Sequence, residues 1–246
     1  MKNELLDSIS KMIPTGNRLE LPIDEIFANY AAVKKCLIDA GGKYKRCGFE
    51  FSDDASEVQE RLLGGEAIND KKKYQFFATP PELARRLVDM VDIQKHHFCL
   101  EPSAGQGAIS DIMLEKSSNC IVIELMQENI NALIRKKYNP IKCDFLNLGA
   151  EFLKGLGTFD RIVANPPFTK NQDVDHILHM LSMLAPGGKL VSLASKSWMT
   201  GSQKKQIAFR EWLDEIHATI TEVPAGAFKA SGTNISSVII EVNKPL

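Results

Sequence analysis

The residues with the clearest capacity for chemistry are Asn165-Pro166-Pro167-Phe168, which directly follow the apolar run FDRIVA. Consecutive prolines restrict the backbone strongly, so a carbonyl there can point into a site instead of joining a strand ladder. The Asn165 side-chain oxygen and the Pro166 carbonyl could accept the two N–H bonds of an aromatic amine, whose lone pair is otherwise delocalised into its ring. Phe168 offers a ring on which a flat group can stack. The pattern predicts a reaction at an amino nitrogen without a covalent protein intermediate.

A loop rich in small residues, Glu101-Pro102-Ser103-Ala104-Gly105-Gln106-Gly107, joins an apolar run to a helical segment. Glycines permit a tight turn and a close approach of the backbone to a ligand at the carboxyl end of a first parallel strand. Ser110 stands where a dinucleotide site would need a third glycine, and there is no G-x-x-x-x-G-K-[ST] loop. Glu101 would repel a pyrophosphate but could bind an ammonium group. The loop predicts a site for a nucleotide-like cofactor that carries a positive charge.

Two further acids close the next two apolar runs. Glu124 ends NCIVIE, where a carboxylate can accept both hydroxyls of a ribose, and Asp144 ends PIKCD, where it could receive an adenine amino group. Because the carboxyl ends of parallel strands meet at one edge of a sheet, these acids and Glu101 are expected to face a single cofactor.

The elements that must position these residues form a regular pattern after about residue 97, where short apolar runs alternate with helical segments. The predicted strands are HFCLEP, NCIVIEL, PIKCD, FDRIVANPP, GKLVSLAS, ATITEVP and SSVIIEVN. The predicted helices are ELARRLVDMV, AISDIMLEK, QENINALIRKK, VDHILHMLSML and KKQIAFREWLDEI, with a weak segment around LNLGAEFLKG. The pattern predicts an α/β fold, namely a Rossmann-like doubly wound seven-stranded sheet.

Composition indicates an ordinary globular chain, with 44% apolar and 25% charged residues. It has no apolar run long enough to span a bilayer and no signal peptide, so we expect a cytoplasmic protein without a membrane partner. The five cysteines form no C-x-x-C pair and no histidine stands at zinc-ligand spacing, so free thiols and no metal are predicted. His96 and His97 are interpreted as a surface pair before a strand.

Net charge places a limit on the partners. With a net charge of −1, the chain is not expected to bind nucleic acid strongly by electrostatics alone. Any binding of phosphates must come from local clusters of basic residues. The candidate clusters are Lys43, Lys45 and Arg46, then Lys71 to Lys73, and later Lys196, Lys204 and Lys205.

Taken together, these motifs resemble the class I S-adenosylmethionine-dependent methyltransferases, specifically amino-methyltransferases with an N-P-P-[FYW] motif, over about residues 75–243. Within that group the chain is most similar to N6-adenine DNA methyltransferases whose cofactor elements precede the catalytic motif. Phe77-Ala78-Thr79-Pro80 matches their F-x-T-P motif, upstream of the glycine loop. The resemblance implies S-adenosylmethionine as the cofactor and the N6 amino group of adenine in DNA as the methyl acceptor.

The resemblance also implies roles for the matching positions. Catalysis falls to Asn165, Pro166, Pro167 and Phe168, and the target base lies on Phe168. Phe228, in a later loop, is the candidate for the other face of the base, with packing within its loop as the alternative. The implied cofactor-binding residues are Phe77, Thr79 and Pro80 for the methionine end, Glu101, Pro102, Ser103, Ala104, Gly105 and Gly107 for the amino acid part, Glu124 with Leu125 for the ribose, Asp144 with Phe145 for the adenine, and Asn165.

Several alternatives for the function stay open. RNA adenine or guanine amino-methyltransferases also carry N-P-P-F, and protein glutamine methyltransferases usually carry N-P-P-Y; the F-x-T-P match favours DNA over both. A non-catalytic S-adenosylmethionine-binding subunit of a larger complex is the alternative from another class. The general base is also open, because Asp173 and Asp175 lie near the motif with nothing in the sequence to orient them.

The domain organisation follows from the change of pattern near residue 73. Residues 1–72 are predicted to form an N-terminal extension of short helices, a hairpin at KYKRCGFEF and a helix at SEVQERLLGGEAI. Residues 73–246 are predicted to form the methyltransferase domain. DNA enzymes of this kind commonly carry a large separate recognition region. Recognition is therefore expected to be minimal here, to come from the extension and the loop after the fourth strand, or to come from a partner subunit.

Overall fold

The computed structural model describes residues 2–51, 54–64, 77–148, 155, 157–224, 226–228 and 236–246. The chain divides into two compact units, Met1–Tyr74 and Gln75–Leu246. Of the helices that lie in these described ranges, none combines the length and the apolar character needed to cross a bilayer.

The N-terminal unit contains three helices and a four-stranded antiparallel sheet with the strand order β1-β2-β4-β3. Its core includes the fully buried side chains of Leu19, Leu37 and Phe49. In chain order its elements are α1 (Lys2–Ser10), β1 (Ile13–Thr15), β2 (Arg18–Glu20), α2 (Tyr30–Asp39), β3 (Lys43–Lys45), β4 (Gly48–Glu50) and α3 (Ala55–Leu63).

The predicted hairpin in this unit is confirmed as β3–β4, and one hairpin was not predicted from the sequence. Strands β1 and β2 pair around a turn in which Gly16 has a φ of +58°, a conformation that glycine adopts without a steric cost. All three residues of β1 are exposed, so the segment lacks the alternation of buried and exposed residues that marks a strand in a sequence. The predicted helix at SEVQERLLGGEAI is observed as α3, and its last residues lie outside the described range.

The second unit is built on a seven-stranded sheet with the order β10-β11-β9-β8-β5-β6-β7. Strands β5 to β9 run parallel, and β11 is antiparallel to both of its neighbours. The strands are β5 (Cys99–Glu101), β6 (Cys120–Glu124), β7 (Ile141–Lys142), β8 (Phe159–Ala164), β9 (Leu184–Ser195), β10 (Thr219–Glu222) and β11 (Ser237–Asn243). The helices are α4 (Pro81–Met90), α5 (Ala108–Lys116), α6 (Gln127–Arg135), α7 (Gln172–Ser182), α8 (Ser197–Thr200) and α9 (Lys204–Glu215).

Apolar side chains alternate between the two faces of this sheet. On β8, Ile162 packs with α7 and α9, whereas the next residue, Val163, packs with α4 and α5. Both side chains are fully buried, and each such burial contributes roughly 1.5–3 kcal/mol. The seven predicted strands and five predicted helices of this unit are confirmed, and so is the doubly wound α/β class.

Only one of the two histidines that precede β5 lies at the surface, which corrects the interpretation of a surface pair. His96 is exposed, but His97 is 8% exposed and its Nδ1 accepts a hydrogen bond from the Gln94 backbone N–H at 3.0 Å. Burial lowers the pKa of His97, which favours the neutral ring that can accept this bond.

Candidate active site at the carboxyl edge of the sheet

The strand order brings the predicted site residues to one edge of the sheet. Strand β5 ends at Glu101 and lies between β8, which Asn165 follows, and β6, which ends at Glu124. Strand β7 is next along the sheet and leads to Asp144. The chain winds in opposite directions on the two sides of β5, and the carboxyl ends of parallel strands at such a point form a crevice that binds ligands.

Glu101 is deeply buried at this edge, at 2% exposure. Its Oε2 accepts a hydrogen bond from the Ser110 hydroxyl, in the first turn of α5. Burial raises the pKa of the Glu101 carboxyl well above its usual range, the nearby acids Glu124 and Asp111 act in the same direction, and the hydrogen bonds from Ser110 oppose the shift. No ion pair joins this carboxyl to a cation among the described residues. The position therefore favours a positively charged ligand group.

Glu124, at the end of β6, forms a hydrogen bond that holds the glycine loop against this strand. Its Oε2 accepts a hydrogen bond from the Gly105 N–H at 2.6 Å, and its Oε1 accepts bonds from the Leu125 and Met126 N–H groups, both at 2.7 Å. Burial raises the pKa of Glu124, while these backbone bonds oppose the shift. The side chain of Asn129 is a further donor to this carboxylate.

The glycine loop takes the backbone conformation that its sequence predicts. Gly105 and Gly107 have φ angles of +55° and +87°, which side chains other than glycine rarely adopt. A Cβ on Gly107 would also lie 3.0 Å from Leu133 Cδ2. Within the loop, Pro102 and Ala104 are buried and Ser103 is half-buried.

A lysine that the sequence analysis did not select supports the same loop from outside. Lys136, just after α6, donates hydrogen bonds to the Gln106 backbone oxygen at 2.8 Å and to Asp111 Oδ2 at 2.6 Å. The other oxygen of Asp111 accepts a bond from the Tyr138 hydroxyl at 2.7 Å. Lys136 thus fixes the most exposed residue of the glycine loop.

Asp144 and Phe145 lie at the far side of this edge. Asp144 caps a short 3-10 turn, with Oδ1 accepting from the Leu146 N–H at 3.1 Å and Oδ2 from the Asn147 side chain at 2.8 Å. Phe145 is 2% exposed, and its ring faces His179 and His176 on α7 with centroid distances of 4.7 and 5.6 Å. Phe145 therefore connects this end of the site to the helix that follows the N-P-P-F motif.

Asn165 is joined to the F-x-T-P motif by its side chain. Its Nδ2 donates to Thr79 Oγ1 at 3.0 Å and to the Phe77 backbone oxygen at 3.2 Å. Only an NH₂ group can face the Phe77 carbonyl, so these contacts fix the orientation of the amide. No described residue donates a hydrogen bond to the opposite atom, Oδ1. The N-P-P-F and F-x-T-P motifs thus meet in one constellation of residues, although Asn165 and Thr79 are 86 residues apart in the chain.

Three aromatic residues belong to the apolar cluster beneath this constellation. Phe77 and Phe168 are half-buried at its margin, whereas Phe228 is 3% exposed within it. Thr79 and Pro166 are buried, while Pro80 and Pro167 are half-buried. The exposed part of Phe168 leaves a ring surface for stacking, and the burial of Phe228 favours the packing role that the sequence analysis kept as its alternative.

The two acids after the motif are both oriented by the tertiary structure. Asp173 is fully buried and its Oδ2 accepts a hydrogen bond from the Ser195 N–H at 2.7 Å. Burial raises the pKa of Asp173, and the Ser195 bond opposes the shift. Asp175 forms an ion pair with Lys205. Each acid therefore has a structural partner.

Of the later basic residues, Lys196 and Lys205 are paired with acids. Lys196 lies 2.8 Å from Glu222, and Lys205 contacts Asp175. Lys71 to Lys73 lie outside the described residues. In the part of the chain that the structure describes, no three His, Cys, Asp or Glu side chains are grouped as metal ligands would be.

Comparison with known proteins finds methyltransferases among the relatives of this chain. No protein-family model matches the chain. The type II restriction enzyme and methyltransferase RM.BcgI of Heyndrickxia coagulans is 25% identical over 205 residues, which cover 70% of this chain and 32% of that protein. A probable ribosomal RNA small subunit methyltransferase A of Methanospirillum hungatei JF-1 is 30% identical over 97 residues, which cover 39% of this chain and 38% of that protein.

Solved structures of methyltransferases have a fold similar to that of this chain. The type I restriction-modification system methyltransferase subunit from Streptococcus thermophilus superposes with a TM-score of 0.59 at 17% identity, covering 76% of this chain and 48% of that chain. The chain thus spans less than half the length of each of these proteins. The seven-stranded α/β unit has the Rossmann-like fold seen in methyltransferase structures.

Proposed function

We propose that this chain is an S-adenosylmethionine-dependent methyltransferase that modifies an exocyclic amino group, with N6 of adenine in DNA as its acceptor. The observation that carries the proposal is the contact of Asn165 with Thr79 and Phe77, which leaves Asn165 Oδ1 as an acceptor at the carboxyl edge of the sheet. The similarity to a restriction enzyme and methyltransferase supports a DNA substrate.

The residues at the sheet edge fit the cofactor. S-adenosylmethionine carries an ammonium group, and Glu101 is a buried carboxyl without a cationic partner among the described residues. Glu124 ends β6 at the same edge, where a carboxylate can accept the hydroxyls of a ribose. We assign the amino acid part of the cofactor to Glu101 and the loop of residues 102–107, the methionine end to Phe77, Thr79 and Pro80, the ribose to Glu124 and Leu125, and the adenine to Asp144 and Phe145.

When bound, the cofactor supplies an electrophilic methyl group. Asn165 Oδ1 and the Pro166 carbonyl each accept one N–H of the acceptor amine, which favours a tetrahedral nitrogen whose lone pair points at the methyl carbon. The new N–C bond would form as the bond between the methyl carbon and the sulfonium sulfur breaks, which leaves a neutral thioether. The nitrogen would release one proton to water. Pro167 limits the freedom of the loop, and Phe168 stacks on the acceptor ring, an interaction worth about 1–3 kcal/mol per base.

The Lys136 contact gives a test of the assigned cofactor loop. Lys136→Met removes the hydrogen bond to the Gln106 carbonyl, so we expect S-adenosylmethionine to bind about 5-fold more weakly, the equivalent of about 1 kcal/mol. Lys137→Met is the matched control, because Lys137 is the exposed neighbour with no described bond to the loop. Isothermal titration calorimetry measures both affinities, and equal affinities in the two variants would contradict the supporting role of Lys136.

The choice of DNA over RNA rests on the F-x-T-P motif, which the Asn165 contacts connect to the reactive loop. A base within a duplex must be turned out by about 180° at a cost of a few kcal/mol, which Phe168 stacking helps to offset. RNA is the second candidate, because the similarity to a probable ribosomal RNA methyltransferase covers 39% of the chain.

Transfer of labelled methyl tests the proposed function directly. The full chain is incubated with labelled S-adenosylmethionine and with duplex DNA, single-stranded DNA, RNA or a release-factor protein, and the products are hydrolysed and analysed. We expect N6-methyladenine in DNA. Label in RNA or glutamine would replace the proposed substrate, while cofactor binding without transfer to any acceptor would favour a binding subunit that requires a partner.

The N-terminal unit is proposed to assist in nucleic-acid recognition, alone or together with a partner subunit. Its β3–β4 hairpin exposes Lys43, Lys45 and Arg46, although Lys45 also pairs with Glu50 at 2.5 Å. Tyr44 is exposed on the same hairpin, with the Lys34 ammonium 5.2 Å from its ring centroid. Basic and aromatic side chains in one hairpin suit contacts with a sugar-phosphate backbone. A nucleic-acid substrate also agrees with a cytoplasmic location.

A further inference from the structure

The turn directly after Phe168 has a strained backbone. Lys170 and Asn171 have φ angles of 55° and 59°, so two consecutive residues that are not glycine lie in the left-handed region. This conformation is unfavourable for residues other than glycine and persists only where the surroundings impose it. The strained turn therefore requires an explanation in the contacts that hold it.

The contacts are made by the side chain of Asn171, which is 8% exposed. Its Nδ2 donates to Gln203 Oε1 at 3.1 Å, while its Oδ1 accepts from Gln206 Nε2 at 3.1 Å and from the Ser197 hydroxyl at 3.3 Å. Both ends of the amide are thus bound by residues around α8 and α9. Two residues later, Asp173 binds the backbone of Ser195 at the end of β9. The turn is anchored on two sides.

The residue that this anchoring presents to solvent is Lys170. Its side chain is exposed, and it forms no ion pair with the described residues, whereas Lys196 and Lys205 are both paired with acids. Lys170 lies two residues beyond Phe168, so the chain places its ammonium within side-chain reach of a group that stacks on Phe168. The phosphates of a nucleotide whose base lies on Phe168 would therefore also come within reach of the Lys170 side chain.

We propose that Lys170 contacts a backbone phosphate of the nucleic-acid strand that supplies the target base, and that Asn171 is the positioning residue that holds Lys170 in place. The inference rests on the proposed function, because it takes the acceptor to be a nucleotide in a strand. It adds a substrate contact that positions the strand without reading its sequence.

Salt dependence of binding tests the phosphate contact. The dissociation constant of the full chain for a fluorescein-labelled DNA duplex, and for its single strand, is measured by anisotropy over a range of salt concentrations. Lys170→Gln should weaken binding roughly 10-fold at low salt and lower the slope of log K against log salt by about 0.7 to 0.9, the contribution of one phosphate. Lys170→Arg should restore both values.

Two further variants make the test specific. Lys95→Gln is the matched control, because Lys95 is exposed and precedes β5, at the opposite edge of the sheet. Asn171→Gly keeps a residue that adopts the left-handed conformation but removes the side-chain bonds, so it should raise the KM for DNA about 10-fold and leave the affinity for S-adenosylmethionine unchanged.

The outcomes separate this inference from the proposed function. A wild-type protein that neither binds nor methylates any nucleic acid would overturn both. A wild-type protein that binds DNA while Lys170→Gln keeps the same slope and affinity as Lys95→Gln would overturn the phosphate contact alone. An unchanged KM in Asn171→Gly would overturn the positioning role. Assays run well below the melting temperature of every variant exclude unfolding as the cause of a loss.

Discussion

Replacement of Asn165 by Ala is expected to lower the rate of methyl transfer about 100- to 1,000-fold, the effect of removing one preorganised polar group from a reacting centre. The acceptor Oδ1 is lost, and so are the Nδ2 bonds to Thr79 and Phe77 that hold the F-x-T-P segment against the reactive loop. Cofactor affinity should fall much less than the rate, because Glu101 and Glu124, which are assigned to the rest of the cofactor, are untouched. Single-turnover transfer and equilibrium binding give the two quantities separately.

The Asn165→Asp variant tests the donor role of the Asn165 Nδ2 group separately. A carboxylate retains the acceptor atoms but would place an oxygen against the Phe77 carbonyl, which accepts only from a donor. We therefore expect Asn165→Asp to lose nearly as much activity as Asn165→Ala. Asn131→Ala is the control, since Asn131 is exposed on α6 and its side chain bonds only to Gln127 among the residues for which bonds are described. Full activity in Asn165→Ala would remove Asn165 from the catalytic role.

Replacement of Glu101 by Gln is expected to change ligand binding and stability in opposite directions. The neutral amide of the Glu101→Gln variant lacks the charge for an ammonium group, so S-adenosylmethionine should bind about 10- to 100-fold more weakly, equivalent to the roughly 1.5–3 kcal/mol of a hydrogen bond to a charged group. The unliganded variant should melt at a higher temperature than the wild type near neutral pH, because the buried negative charge is removed.

The sign of this stability change follows from the raised pKa of Glu101. The folded protein holds the proton more tightly than the unfolded chain, so stability is lost as the pH rises from the ordinary carboxyl range through the raised pKa. Glu101→Gln should abolish that part of the pH dependence. Calorimetric melting of the ligand-free protein across this pH range, with the exposed Glu115→Gln as control, measures the effect. A Glu101→Gln variant that melts lower and binds the cofactor normally would make Glu101 a purely structural residue.

Much of the second unit could be predicted from the sequence, because its signals are local. The apolar runs and the helical periodicity between them arise from residues close together in the chain, and they predicted all seven strands of the sheet. The N-terminal hairpin β1–β2 was missed because its first strand is wholly exposed and carries no periodic pattern. His97 was misjudged because burial of a polar residue depends on the hydrogen bond that Gln94 provides.

The sequence by itself determined the doubly wound fold, the glycine loop with its left-handed glycines, and the positions of Glu101, Glu124, Asp144 and Asn165 at strand ends. Only the tertiary structure decided which polar groups meet there. Asn165 contacts Thr79 over 86 residues, Lys136 reaches Gln106 over 30, and Gln206 binds Asn171 over 35. Such pairs lie in loops and helix ends without periodicity, and their partners are selected by the order of strands in the sheet, which brings distant segments to the same edge.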